Sequence, residues 1–254
     1  MPRSIWNGTI AFGLVNVPIK VFSATESNTV HFREVHAKDA GKIEHRRICP
    51  KEDKEVGKDE VVKGFQVSRR KWVVLTDEEI AAAAGARTKR IEVDHFVPAG
   101  EVDPVFYEKA YYLGKQDKGS SSYALLHAAL EKADRAAVGS WVFHNRERTV
   151  LIRVLGDVLA MHTMRFADEI VDPSGFDLPR VRRKPSDQEV KMASKLVDGL
   201  HTDFDPDDYE DTYRQDVLDL VERKAAGKNI EMPAPEEPEA ADDLLAQLEA
   251  SLSA

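Results

Sequence analysis

The sequence predicts a mixed α and β protein: a β-barrel core, a long charged excursion inserted in it, and a helical arm after it. Three observations carry this. Apolar residues recur with a period of two near the N-terminus, short strand-like runs separated by turns fill residues 137–166, and the last third carries helix-capping signatures in an acidic background. A closed barrel is favoured over an open sheet because closure leaves no exposed edge.

Taken in order, Ile10, Phe12 and Leu14 alternate with Ala11, Gly13 and Val15, and Val17, Ile19 and Val21 with Pro18, Lys20 and Phe22. That is the period of strands. Gly8 and Gly13 mark bends or close backbone approach, and Pro18 suits an edge or the first residue of a new strand. Residues 36–61 are charged and turn-rich, with Lys42, Arg46, Arg47, Lys51, Lys54 and Lys58, and predict an extended excursion. A strand at 72–75 runs into Thr76-Asp77-Glu78-Glu79, a capping box that opens a short helix through Ala84. Strands are predicted at 90–97 and 105–113, separated by Pro98, Gly100 and Pro104. A helix over 121–133 follows, with Leu125, Leu126, Ala129 and Leu130 as its stripe. Strands at 138–144, 149–155 and 158–166 form a meander with turns at 145–148 and Gly156-Asp157.

Ser186-Asp187-Gln188-Glu189 is a second capping box, starting a helix with Val190, Ala193, Leu196 and Val197 on one face. Asp205-Pro206-Asp207-Asp208 predicts the start of a longer helix, with Arg223 and Lys224 near its end and Gly227 beyond. Residues 231–241 read as an acidic, proline-rich linker. A short amphipathic helix from residue 242 then places Leu244, Leu245, Leu248 and Leu252 on one face.

The charge is asymmetric. The net −9 of the 254 residues divides into +4 over residues 1–184 and −13 over residues 185–254. A mildly basic body with an acidic tail restricts any nucleic-acid contact to a localised surface. No apolar run reaches eighteen residues and no secretory signal opens the chain, so a cytoplasmic, nucleoid-associated protein without a membrane partner is expected. Cys49 is the single cysteine, which excludes an intrachain disulfide framework.

Catalytic motifs are weak. Gly114 to Ser121 resembles a phosphate loop, but the lysine after the second glycine is replaced by Ser120. His31, His36, His45 and Cys49 lack a second thiolate at zinc spacing. Asp207 and Asp208 suit a helix first turn, Asp168-Glu169 suits a solvated turn, and no nucleophile elbow accompanies the histidines. No cofactor and no metal are expected.

The cations are the stronger signal. Lys38, Lys42, Arg46, Arg47, Lys63, Arg69, Arg70 and Lys71 cluster in one third of the body, with Lys20 before them, and Arg180, Arg182, Arg183 and Lys184 form a second group. Such sets suit backbone phosphates, and the chain has no base-reading helix-turn-helix, zinc finger or basic zipper.

Ser4-Ile5-Trp6-Asn7-Gly8-Thr9-Ile10-Ala11-Phe12-Gly13-Leu14-Val15-Asn16-Val17-Pro18-Ile19-Lys20 resembles the opening of bacterial Ku proteins. Further matches follow in order at His31-Phe32-Arg33, Arg46-Arg47-Ile48-Cys49, Val62-Lys63-Gly64-Phe65, Phe96-Val97-Pro98, Val102-Asp103-Pro104 and Ala167-Asp168-Glu169-Ile170. The resemblance implies a Ku-type β-barrel core over 1–184 with a DNA-encircling bridge over about 36–71, and a dimerising helical arm over 185–230. It implies a non-enzymatic homodimer that threads onto ends of double-stranded DNA in non-homologous end joining and recruits the ATP-dependent DNA ligase D. The terminal leucines are then candidate ligase-docking residues; packing on their own barrel is the other reading. Two rivals are a metal-dependent nuclease acting on DNA ends and a protein-only scaffold.

Overall fold

The computed structural model describes residues 3–83, 89–116, 120–144, 146–177 and 185–228. The strands in chain order are β1 (Trp6–Phe12), β2 (Val15–Ser23), β3 (Ile48–Cys49), β4 (Lys54–Glu55), β5 (Lys63–Ser68), β6 (Lys71–Leu75), β7 (Arg90–Pro98), β8 (Tyr107–Lys115), β9 (Arg135–Phe143), β10 (Arg146–Leu155) and β11 (Val158–Met164). Seven close into a barrel in the order β1-β2-β8-β11-β10-β9-β7. Neighbours are antiparallel except at the closure, where β1 lies parallel to β7. β3–β4 and β5–β6 are separate two-stranded sheets.

The N-terminal alternation becomes the first barrel hairpin. Phe12 lies opposite Val15, so Gly13 and Leu14 alone make the turn, with Gly13 in the left-handed region at φ +55°. Val17, Ile19 and Val21 are fully buried, as their spacing predicts. Leu14 is 99% exposed, so it belongs to the turn and not to the inward face. Pro18 is neither at an edge nor at a strand start. It lies within β2 opposite Thr9, one residue before the ladder with β8 begins at Ile19, and Thr9 gives its own N–H to the Lys89 carbonyl at 3.0 Å. The absent proline N–H therefore breaks no ladder bond.

The barrel interior is filled by Ile10, Val17, Ile19, Val21, Ile91, Leu113, Val150, Ile152, Leu159 and Met161 around Trp141. Phe143 stacks on Trp141 at 4.4 Å, and Trp6 and Tyr111 meet it edge-on at 5.7 and 5.5 Å. One glycine permits the closest backbone approach. A β-carbon on Gly139 of β9 would lie 2.0 Å from the Glu92 carbonyl oxygen of β7, next to the register shift between Val93 and His95.

Helices and capped turns accompany the strands in this part of the chain. α1 (Asp77–Ala83) starts at the expected box: Glu79 N–H donates to Thr76 Oγ1 at 3.1 Å, and Thr76 N–H to Glu79 Oε2 at 2.8 Å. α2 (Ser120–Ala133) packs on the barrel, but its stripe is narrower than predicted: Leu126 and Leu130 are buried, whereas Leu125 is 70% exposed. Tyr123 ties α2 down, donating its O–H to the Leu113 carbonyl at 2.7 Å and accepting the Leu159 N–H at 2.8 Å. Burial raises the pKa of this hydroxyl. Tyr123→Phe strands both partners and is expected to cost about 1–3 kcal/mol in urea denaturation. An unchanged midpoint would show that water replaces the phenol. The meander turn is also tighter than expected, since Arg146, Glu147 and Arg148 are already strand residues of β10. Asp168-Glu169 forms the predicted solvated turn, a single 3-10 turn in which Glu169 accepts the Phe166 N–H at 2.8 Å.

The chain divides into two units, residues 1–27 with 33–172, and residues 28–32 with 173–254. In the second, α3 (Asp187–Gly199) opens at its capping box, with Glu189 N–H on Ser186 Oγ at 3.3 Å and Ser186 N–H on Glu189 Oε2 at 2.6 Å. The longer helix does not begin at residue 205. Pro206–Asp208 forms one 3-10 turn capped by Asp205, and α4 (Thr212–Ala225) begins only after Asp211, whose carboxylate caps Arg214 N–H at 3.0 Å. Two capping aspartates six residues apart divide the signal. Arg223 and Lys224 occupy the last turn, as read from the sequence. Neither α3 nor α4 contains a buried residue.

Candidate nucleic-acid interface

The predicted cations that lie among the described residues fall on the barrel wall and on the excursion. Lys20 is half-buried on β2, next to fully buried Ile19 and Val21 and so on the outward side of the barrel wall. Lys38, Lys42, Arg46, Arg47, Lys63, Arg69, Arg70 and Lys71 are all exposed and all lie between β2 and β7.

Local folding fixes their positions. Val35 bridges Lys42, and His36 N–H donates to the Gly41 carbonyl at 2.7 Å, which closes a small loop carrying Lys38. Within it Asp39 accepts the Gly41 N–H at 2.9 Å and contacts His36 Nδ1 at 2.9 Å, which together hold its carboxyl below the usual range. Arg47 precedes the β3–β4 hairpin, whose strands pair Ile48 with Glu55 and Cys49 with Lys54. Arg69 and Arg70 form the tip of the β5–β6 hairpin, with Lys71 as the next residue. The sequence reading missed β5, because Lys63-Gly64-Phe65-Gln66-Val67-Ser68 contains a glycine and only two large apolar residues.

Electrostatics sort the set. Arg46 pairs with Glu55 at 3.3 Å and Lys63 with Asp77 at 2.9 Å. Such exposed pairs contribute about 0–1 kcal/mol. Among the described residues, Lys38, Lys42, Arg47, Arg69, Arg70 and Lys71 have no carboxylate partner. Arg182 and Arg183, and Leu244, Leu245, Leu248 and Leu252, lie outside the described residues.

The excursion also exposes apolar groups. Phe65 and Val73 face each other across one side of the β5–β6 hairpin, and Trp72 and Val74 lie on the other; Phe65 is 66% and Trp72 59% exposed. An isolated two-stranded hairpin is marginal in water.

A second group of cations converges where no local sequence signal marks it. At the end of the barrel where β8 begins and β9 ends, Arg148 pairs with Glu108 at 2.7 Å, Arg146 with Glu169 at 3.2 Å, and Arg165 Nη1 donates to the Val105 and Tyr107 carbonyls. Glu108 also accepts the Thr163 hydroxyl at 3.1 Å, the one buried polar side chain of the barrel among the described residues. At the same end Arg3 and Lys109 line a separate cleft. Their contributions come from residues a hundred positions apart, which a linear reading cannot join.

The histidine, cysteine and carboxylate residues do not assemble a metal-holding set among the described residues. His45 contacts Glu34 at 2.9 Å, and Cys49 sits in β3. No described helix is long and apolar enough to cross a membrane.

The structure is a closed barrel that presents unpaired cations, among the described residues, on an inserted pair of hairpins. Residues 11–192 match the family model described as the Ku70/Ku80 beta-barrel domain. The chain belongs to the Ku family, and its barrel is the Ku barrel. It is 42% identical to the Non-homologous end joining protein Ku of Mycolicibacterium smegmatis over 99% of this chain and 82% of the relative. It is 39% identical to the protein of that name from Mycobacterium tuberculosis, over 99% of this chain and 95% of the relative, and 32% to that of Bacillus subtilis, over 98% and 81%.

Proposed function

We propose that this chain binds ends of double-stranded DNA without reading sequence, acts in non-homologous end joining as a non-enzymatic homodimer, and brings in the ATP-dependent DNA ligase D. The observation that carries the reading is the excursion: Lys38, Lys42, Arg47, Arg69, Arg70 and Lys71 are solvated and uncompensated on an insertion of a Ku-family barrel. Solvated cations of this kind bind phosphates by counterion release and need no base contact. Lys20, Arg46, Lys63, Arg182 and Arg183 are further proposed DNA contacts, with residues 36–71 as the proposed bridge.

The homodimer accounts for the exposed apolar groups. Phe65 and Trp72 on the hairpin, and Val197, Leu200 and Tyr213 in the arm, lie at 59–74% exposure within one chain. A two-fold interface would bury such self-complementary surfaces. Residues 185–230 are therefore assigned to dimerisation, 231–241 to a linker and 242–254 to ligase docking through Leu244, Leu245, Leu248 and Leu252. The work is placed in the cytoplasm, on the nucleoid.

The test is a gel shift with one plasmid in linear and covalently closed forms, without metal or nucleotide. Retention of the linear form alone is expected. Equal retention of both would reduce the protein to a general DNA binder, and retention of neither would leave a protein scaffold. Removing residues 242–254 is expected to leave end binding unchanged and to reduce ligase stimulation; full stimulation by the truncated chain would take the docking role from these leucines.

A further inference from the structure

The barrel end described above has two unlike halves. In one, every arginine is engaged: Arg148 by Glu108, Arg146 by Glu169 and Arg165 by two carbonyls. In the other, a cleft of about 580 Å³ is lined by Arg3 and Lys109 with no carboxylate in its wall. Neither cation has an ion pair among the described residues. Two charges of one sign left uncompensated in a concave site attract an anion more strongly than the same charges on a convex surface.

The rest of the wall narrows the class of anion. Ser4 and Thr25, which carry hydroxyls, line the same cleft, and Tyr111 and Phe143 supply an apolar part. Tyr111 is 7% exposed, and burial raises the pKa of its hydroxyl, so it stays a neutral phenol at physiological pH. Cations and hydroxyls suit a tetrahedral oxyanion, the volume exceeds one phosphate, and a flat apolar side suits an attached sugar. We propose that this cleft binds a phosphomonoester, with Arg3 and Lys109 on the phosphate and the Tyr111–Phe143 side against the group it carries. The phosphomonoester is either a free sugar phosphate or the 5′-phosphate of a nucleic-acid strand. The site is separate from the cations of the excursion, and its binding of a free ligand does not depend on DNA-end binding.

Trp141 supplies the readout, because Phe143 stacks on it and Tyr111 meets its edge. The full chain is titrated at constant ionic strength with inorganic phosphate and with ribose 5-phosphate while tryptophan emission is followed. Saturable binding of both is expected, tighter for ribose 5-phosphate. Arg3→Gln and Lys109→Gln should each weaken it about tenfold, the size of one charge-assisted hydrogen bond. Arg3 precedes β1 and takes part in no strand pairing, so its variant tests the site even if Lys109→Gln disturbs β8. No saturation, or equal affinity in Arg3→Gln, overturns the proposal. The source is read by displacing bound ribose 5-phosphate with a short duplex. Displacement by the 5′-phosphorylated duplex alone assigns the site to strand ends, and displacement by neither assigns it to a free metabolite. Equal displacement by phosphorylated and 5′-hydroxyl duplexes overturns the phosphomonoester assignment.

Discussion

Gly139→Ala is expected to lower stability by about 3 kcal/mol or more, a fall of roughly 6–12 °C in Tm for a chain of this size. The added methyl would sit 2.0 Å from the Glu92 oxygen and 2.9 Å from the Val93 Cα, both backbone atoms, so no side-chain rotation relieves the clash. β7 and β9 must separate. Because β7 also closes the ring against β1, the separation is transmitted to the parallel pairing of Thr9, Ile10 and Ala11 with Arg90, Ile91 and Glu92. Gly100→Ala is the control: nothing lies within 4 Å of its built β-carbon, and its change should stay within about 0.5 kcal/mol. Equal Tm values for the two variants would mean that β7 and β9 are farther apart than described.

The second large effect concerns DNA. Reversing Arg47, Arg69 and Arg70 to Glu in one chain is expected to weaken end binding on the order of a hundredfold or more, and to reduce the slope of log K against log salt by about 2–3. These arginines are chosen because no carboxylate among the described residues neutralises them. Arg46→Glu is a poorer probe, since it would set a second carboxylate against Glu55 and disturb the β3–β4 hairpin as well as the DNA contact. An unaltered salt slope in the triple variant would place all three guanidinium groups away from phosphate.

Much of the barrel could be read because its interior obeys a period of two that needs no tertiary knowledge. Val17, Ile19 and Val21 show this. Leu14 shows the limit: a two-residue turn interrupts the alternation without interrupting the apolar composition. Arg146 to Arg148 fail in the opposite sense, as a charged run that is nonetheless strand because Glu108 and Glu169 receive two of its arginines from across the barrel end. In the arm, Asp205-Pro206 and Asp211 are both valid caps, and local chemistry cannot rank them. The excursion cations could be singled out by composition. Which of them are neutralised could not, because the partners Glu55 and Asp77 are chosen by hairpin pairing and by the box that starts α1.

The insertion point of the excursion has a thermodynamic consequence. β2 and β7 both flank β1 in the closed ring, so the two ends of the excursion between them are held by one strand. The entropy of closing such a loop grows only logarithmically with its length, at roughly 0.6 kcal/mol for each doubling. The barrel is therefore nearly indifferent to how long the excursion is. Its length can be changed by insertion and deletion while the core keeps its stability, so the extent of the excursion and the strength of the barrel are free to evolve as independent variables.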